Sequence, residues 1–177
     1  MSKNDPIDRV WDIIETAGVC MLTTQFGGGL RARPLEARPD RDAGAIFFVT
    51  DIHSPKENEI EAAPDVGLVF INSSSNVYLS ITGRASVVRD PERTKVVWRK
   101  TDEVWWPGGP DDPDVSLLRI EPVTAELWDG PASSAVVAFE FAKARLTGQQ
   151  PNLGENRKVT VKMKAAGPAS PALGPKS

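Results

Sequence analysis

The amino-acid sequence predicts a mainly β fold, an antiparallel barrel with peripheral helices. Short runs of β-branched and other apolar residues are separated by turns rich in glycine, proline and asparagine, which is typical of strands joined by hairpins. Strands and helices do not alternate regularly along the chain, which argues against a doubly wound parallel sheet. A closed barrel protects the edges of so many strands, so we expect that architecture.

The chain begins with a predicted helix and continues with predicted strands. Asp5 and Pro6 suit the N-cap and the first helical position, and Gly18 suits the residue that follows the helix. Between them, apolar residues recur at helical spacing and form one face. The first predicted strands are 19–24, 30–38 and 45–50, with a turn at 39–44.

The middle of the chain contains a second predicted helix and the longest predicted strand. Ser54, followed three residues later by Glu57, has the pattern of a capping box, and the helix ends near Ala63. In the strand 77–89, apolar residues alternate with polar ones, so one face is expected in the core. The other predicted elements are a strand at 66–71, a helix from Asp90 to about Lys100, an irregular loop at 104–114, strands at 115–120 and 123–128 broken near Pro122, and a helix from Ser133 or Ser134 to Leu146.

Composition indicates one globular domain, residues 1–148, followed by a tail, residues 149–177. The chain has 177 residues, of which 40% are hydrophobic and 25% charged, and its formal net charge of -3 gives no overall basic field for nucleic acid. The tail is basic and rich in alanine, proline and glycine, so we expect it to be disordered. No secretory leader or membrane-spanning run is visible, and the single cysteine, Cys20, suits a buried position in a cytoplasmic protein.

Arg33, Thr50, Ser54 and Lys56 form the strongest candidate site, which suits a phosphate monoester. Arginine offers a two-pronged donor and lysine a point charge, and Ser54 opens a helix whose free N–H groups favour an anion. The residues alone leave a second interpretation of equal weight. In that interpretation Ser54 only caps the helix, Lys56 is solvated, and Arg33 pairs with a carboxylate.

Other chemically active residues give weaker indications. His53 is the only histidine, which argues against a site built from several histidines, and we expect it in an exposed loop. The acidic stretch 111–114 lacks the spacing of a calcium loop, so we expect a solvated turn and no metal site. Trp105 and Trp106 stand in a glycine–proline loop; one of them packs at a subunit interface or on a flat ligand, or else anchors the loop.

A series of short motifs points to a known family. They are M-L-T-T at 21–24, R-A-R-P-L at 31–35, F-F-V-T-D at 47–51, S-P-K at 54–56, G-R-A at 83–85, W-W-P-G-G at 105–109 and A-E-L-W-D at 125–129. In this order and spacing, roughly from Val10 to Asp129, the chain resembles the pyridoxamine 5'-phosphate oxidase-like superfamily of FMN-binding split barrels. Within it, the chain looks most like the bacterial general stress proteins.

The resemblance implies an antiparallel split β-barrel that forms a homodimer, with FMN sites at the subunit interface. It assigns the grip on the FMN phosphate to Arg33 and Lys56, with Ser54 beside them. It assigns the other flavin contacts to Pro34, Leu35, Arg38, Val49, Thr50, Tyr78 and, from the partner subunit, Trp106.

The sequence also departs from the oxidases of that superfamily. Pro55 stands where true oxidases carry an arginine between the serine and the lysine, which removes one phosphate contact. The basic C-terminal segment that helps those enzymes bind pyridoxamine phosphate has no counterpart here. We therefore expect an FMN-dependent oxidoreductase with a small-molecule electron donor or acceptor and a substrate still unknown. The alternatives are a non-catalytic flavin-binding stress protein, and a barrel that holds haem or a deazaflavin, with His53 as a haem ligand.

Overall fold

In the computed structural model, residues 5–129, 143–145, 148 and 157–163 are described, and their strands form one antiparallel sheet. The strand order is β2-β1-β5-β6-β7-β4-β3, and β8 pairs with β7 beside this path. The strands are β1 Val19–Phe26, β2 Gly29–Glu36, β3 Arg38–Asp40, β4 Ala45–Asp51, β5 Asp65–Asn72, β6 Val77–Val88, β7 Val115–Asp129 and β8 Arg157–Lys162. The helices are α1 Pro6–Ala17, α2 Pro55–Ala62 and α3 Pro91–Val97, with 3-10 turns at Lys100–Val104 and Gly109–Asp111.

The sheet curls into a barrel because its two end strands are consecutive in the chain. Strands β2 and β3 lie at opposite ends of the strand order, yet only Ala37 separates them. Ala37 is fully buried, and its N–H donates to the carbonyl of Gly18 at 2.6 Å. The predicted antiparallel barrel with peripheral helices is therefore confirmed, and its wall is split next to Ala37.

Helix α1 packs on the core as its sequence pattern predicts. The Asp5 side chain accepts the N–H of Ile7 at 2.9 Å, and Gly18 follows the helix with a φ of 69°. The buried residues of the helix are Val10, Trp11, Ile13 and Ile14. They join an apolar cluster that also contains Cys20, whose pKa burial raises to about 12.

Strands β3 and β7 differ from their predicted forms, and proline explains both differences. Arg38–Asp40 pairs with β4 although a turn was expected from Pro39; a proline is tolerated there because β3 is the end strand of the sheet. Strand β7 continues past Pro122 without the predicted break. The register with β6 shifts instead, so that Pro122 lies opposite Gly83 and Val123 is the extra residue of a bulge.

Strand β8 corrects the expectation of a disordered tail for residues 157–163. Arg157–Lys162 pairs with the end of β7, from Thr124 to Asp129, on the side where β4 has already ended. Met163 is buried, and its N–H donates to the carbonyl of Val123 at 2.9 Å. The overall basic composition concealed an alternating R-K-V-T-V-K segment that can cover an open strand edge.

Two further expectations concern the predicted C-terminal helix and membrane-spanning segments. The helix predicted from Ser133 or Ser134 to Leu146 lies almost entirely outside the described residues. None of the helices in the described part of the chain has the length and apolar content that a membrane crossing demands.

Gly83 has no room for a side chain, and this generates a prediction. A Cβ on Gly83 would lie 2.8 Å from Cγ2 of Ile120 and 2.9 Å from the carbonyl oxygen of Glu121. We expect Gly83→Ala to lower the free energy of unfolding by about 1–3 kcal/mol, because the bulge must move apart. Urea denaturation measures the change.

The matched control is Gly67→Ala in β5, where a Cβ would meet only the Cβ of Thr23 at 3.8 Å. We expect Gly67→Ala to leave the free energy of unfolding nearly unchanged. Equal effects of the two substitutions would contradict the assignment of a close approach at the bulge.

Candidate cofactor-binding cleft

A cleft of about 440 Å³ opens where strands β2 and β4 separate. The register that pairs Arg38 with Phe47 would, if continued, pair Glu36 with Val49 and Pro34 with Asp51. Among the described residues these pairs do not form, and the two segments line the cleft instead. The full lining is Pro34, Leu35, Glu36, Arg38, Val49, Thr50, Asp51, Lys56, Asp102, Trp105 and Trp106.

Most of the residues predicted for the site therefore lie together. The cleft brings together Pro34, Leu35, Arg38, Val49, Thr50, Lys56 and Trp106. Ser54 and Arg33 lie beside the cleft. Ser54 accepts a hydrogen bond from the Lys56 ammonium, and the charge of Arg33 is close enough to lower the pKa of Lys56. Tyr78 does not reach this cleft in the same chain; it lies on the outer face of the sheet, opposite Ile71.

Lys56 provides a positive charge at one end of the cleft. Ser54 caps helix α2 by accepting the N–H of Lys56 at 3.3 Å, and the Lys56 ammonium donates to the same hydroxyl at 2.6 Å. Lys56 forms no ion pair with a carboxylate of the described residues. Partial burial, and then the nearby charge of Arg33, lower the pKa of Lys56 below its ordinary value. An anion at this end would relieve both effects.

The predicted capping box at Ser54 is only half formed. The Ser54 side chain acts as a cap, but Glu57 turns into the protein and accepts a hydrogen bond from Ser116. Ser116 lies directly opposite Thr50 in the β4–β7 ladder. Sequence pattern alone could not separate these two roles of a glutamate in the first helical turn.

Arg33 confirms part of the alternative interpretation, because it does pair with a carboxylate. Its Nη2 donates to Oε2 of Glu59 at 2.5 Å and to the hydroxyl of Thr24 at 3.0 Å. Burial alone would raise the pKa of Glu59, but the hydrogen bonds from Thr24 and Arg33 outweigh burial and lower it. The Nε and Nη1 atoms of Arg33 have no hydrogen-bond partner among the described residues. These two nitrogens thus remain able to donate to a second anion.

Arg38 is held by the protein more completely than the resemblance implies. It is buried, donates from Nη2 to Asp102 at 3.0 Å and from Nε to the carbonyl of Val97 at 3.2 Å, and lies within 3.2 Å of the Glu36 carboxylate. Asp102 is buried as its partner. Arg38 therefore forms a wall of the cleft and fixes the 3-10 turn against β3.

Thr50 contributes an unsatisfied polar group to the cleft. Its hydroxyl is buried and has no hydrogen-bond partner among the described residues. A buried hydroxyl without a partner costs about 1–3 kcal/mol, so such groups are rare in native proteins. A polar ligand in the cleft would satisfy it, and this fits a flavin ring bearing carbonyl and N–H groups.

The tryptophans close the other side of the cleft. Trp106 packs against Trp98, with ring centroids 6.3 Å apart, and lines the cleft of its own chain. The resemblance placed Trp106 in the site of the partner subunit, whereas here it lines the cleft of its own chain. Trp105 also lines the cleft but is 76% exposed, so it offers a flat apolar surface at the entrance.

The remaining candidates lie away from the cleft. His53 is 75% exposed, with its Nε2 3.6 Å from Asp114, so it does not line the cleft. In the described part of the chain, no group of histidine, cysteine and acidic residues has metal-binding geometry. A second cavity of about 470 Å³ lies between α1, the β3–β4 turn and the end of α3, and Arg38 is its one predicted site residue.

Comparisons with known proteins agree with this architecture. The model of the family described as pyridoxamine 5'-phosphate oxidase like matches residues 5–152. General stress protein 26 of Bacillus subtilis is 26% identical over 132 residues, which are 73% of this chain and 92% of that protein.

Solved structures give the same result. A candidate general stress protein 26 from Jannaschia sp. CCS1 superposes with a TM-score of 0.70 at 30% identity, covering 88% of this chain and 96% of that one. The general stress FMN/FAD binding protein of Xanthomonas citri superposes with a TM-score of 0.63 at 24% identity, covering 72% and 89%. The residues matched by the family model include strands β1 to β7 and the cleft, and the chain belongs to the pyridoxamine 5'-phosphate oxidase-like family.

Proposed function

We propose that this protein binds FMN in the cleft and is a flavin-dependent oxidoreductase. The observation that carries the proposal is the environment of Lys56, a partly buried ammonium without a carboxylate partner in the described chain, at the N-terminus of α2. Such a group attracts an anion, although Glu59, Asp51 and Glu57 already offset part of its charge, and the N–H groups of a helix start add to the attraction. The name of the Xanthomonas citri relative, an FMN/FAD binding protein, supports the phosphate of a flavin nucleotide as that anion.

Different residues of the described chain would bind the phosphate and the ring of FMN. Lys56, Ser54 and the Nε and Nη1 donors of Arg33 would hold the phosphate. The segments 34–35 and 49–50 would border the ring, and the unpartnered hydroxyl of Thr50 would bond one of its polar groups. A bound flavin supplies reversible hydride transfer; this chain supplies orientation and exclusion of water.

A non-catalytic flavin-binding stress protein is the second candidate, and the polar residues of the cleft are compatible with it. Glu36 pairs with Arg38 and Arg99, Asp102 pairs with Arg38, and Asp51 accepts the N–H of His53. None of the lining carboxylates is left as an evident general acid or base. Hydride transfer to a flavin needs no such group from the protein, so the two candidates differ only in whether a donor can react.

We also propose that the protein is a homodimer. An outer-face patch of apolar residues, Val19, Met21, Val69, Ile71 and Tyr78, crosses β1, β5 and β6. Met21 lies opposite Pro34 in the β1–β2 ladder, so the patch continues into a residue of the cleft. Burying the patch against a second copy would stabilise the dimer and would bring Tyr78 toward a cleft.

The first prediction compares FMN with riboflavin, which lacks the phosphate. We expect Lys56→Met to lower the affinity for FMN about tenfold, a loss of ~1.4 kcal/mol of binding free energy, and to leave the affinity for riboflavin unchanged. Titration followed by flavin fluorescence gives both constants. Lys95→Met, on the exposed ammonium of α3, is the control. An equal loss for both flavins would contradict the phosphate role of Lys56.

FMN affinity should also depend on pH through Lys56. The ammonium is charged below its pKa, which is lowered from 10.5, so FMN affinity should fall as the pH rises through that lowered value. Affinity should fall again below about pH 6, where the phosphate gains a proton. Lys56→Met should abolish the alkaline loss and keep the acidic one.

A reduction experiment separates the enzyme from the binder. NADH or NADPH is added to the flavin-loaded protein without air, and the flavin absorbance is followed. We expect bleaching by a nicotinamide donor. If only dithionite bleaches the flavin, the protein is a flavin binder and the oxidoreductase proposal is wrong.

The dimer is tested with one charge on the outer-face patch. Ile71 is 54% exposed, and Ile71→Lys should convert the dimer to a monomer without unfolding it. Val96→Lys, on an equally apolar but separate exposed site of α3, should remain dimeric. Light scattering after size exclusion measures the mass, and a monomeric wild type would refute the proposal.

A further inference from the structure

We propose that Arg31 is a second phosphate-binding arginine, oriented together with Arg33 by the buried carboxylate of Glu59. This rests on the proposed binding of FMN.

Glu59 holds the two arginines with one oxygen each. Its Oε1 lies 3.1 Å from Nη1 of Arg31, and its Oε2 lies 2.5 Å from Nη2 of Arg33. Thr24 donates to Oε2 at 2.6 Å and so fixes the carboxylate. Only 3% of the Glu59 side chain is exposed. Because the Glu59 carboxylate is itself fixed, it also fixes the terminal nitrogen with which each arginine donates to it.

Arg31 is oriented from a second direction by an aromatic ring. Its guanidinium carbon lies 3.8 Å from the centre of the Phe26 ring, which fixes the guanidinium plane. Arg31 and Arg33 are two residues apart on β2, so they project from the same face of the strand. The Nε and Nη2 atoms of Arg31 have no hydrogen-bond partner in the described chain, and 45% of the side chain is exposed.

The charges of this cluster leave it attractive to an anion. Glu59 carries one negative charge, and it faces two guanidinium groups that stay protonated at every physiological pH. Arg33 in turn lies close enough to Lys56 to lower the pKa of that ammonium. A carboxylate that only anchored α2 to the barrel would need one arginine. The second arginine gives an excess positive charge beside Lys56, where a phosphate dianion would be stabilised.

The test compares FMN and riboflavin affinities of the full chain. We expect Arg31→Met to lower the affinity for FMN about tenfold, while the affinity for riboflavin stays within about twofold of the wild type. Arg84→Met is the matched control; Arg84 is exposed on β6, pairs with Asp65 at 3.7 Å, and should leave both affinities unchanged. An unchanged ratio of FMN to riboflavin affinity in Arg31→Met would overturn the inference.

Glu59→Gln tests the positioning role. The amide keeps the shape but loses the charge and one acceptor, so both arginines lose their fixed position and the ratio of FMN to riboflavin affinity should fall at least as far. In the double variant with Arg31→Met the loss should be no larger than in Glu59→Gln alone, because the part of the Glu59 effect that passes through Arg31 is already lost. A rise of FMN affinity in Glu59→Gln would mean that Glu59 competes with the phosphate and does not position the arginines.

The outcomes separate the inference from the proposed function. A wild type that binds neither flavin refutes both. A wild type that prefers FMN, with an Arg31→Met variant that keeps the same preference, refutes only the role of Arg31. Circular dichroism of each variant shows that a lost preference is not lost folding.

Discussion

The separation of β2 from β4 ahead of Ala37 is the constraint on which the rest of the structure depends. Beyond that point, the backbone groups of segments 34–36 and 49–51 face a gap, and buried backbone groups require partners. Pro34 lowers the cost of the separation because it has no N–H to leave unpaired. The barrel thus obtains a cleft by leaving one ladder incomplete, without a separate loop to form the site.

Two arginine–carboxylate pairs, Arg38–Asp102 buried and Arg33–Glu59 partly buried, keep the sides of this gap in place. Arg33 with Glu59 ties β2 to α2, and Arg38 with Asp102 ties β3 to the 3-10 turn that carries Trp105. Removing one partner of a buried pair typically costs about 3–5 kcal/mol, because the other charge is left without compensation. These pairs therefore fix the geometry of the cleft, and the pairing of Arg33 with a carboxylate does not exclude the phosphate role proposed for it.

Local patterns predicted the local structure well, and long-range pairing was the part that they could not supply. The caps at Asp5, Ser54 and Asp90 depend on residues within one turn, and all three form. The pairing of Arg33 with Glu59 joins residues 26 apart, and that of Arg38 with Asp102 joins residues 64 apart. A glutamate in a polar helix has the same pattern whether it is solvated or buried, so only the folded chain reveals the role of Glu59. Strand β8 was not predicted, because the composition of the whole tail hides the alternation of apolar and polar residues in 157–162. That segment can form a strand only where the edge of β7 is open to pair with it.

The burial of Cys20 makes the protein a convenient host for chemical labels. With a thiol pKa of about 12, roughly one molecule in 100,000 carries the reactive thiolate at neutral pH. Maleimide dyes and nitroxide spin labels would therefore pass over the native cysteine and attach to any exposed cysteine introduced by design. Pairs of labels on opposite rims of the cleft could then measure its width directly, in the wild-type core and without removing a core side chain.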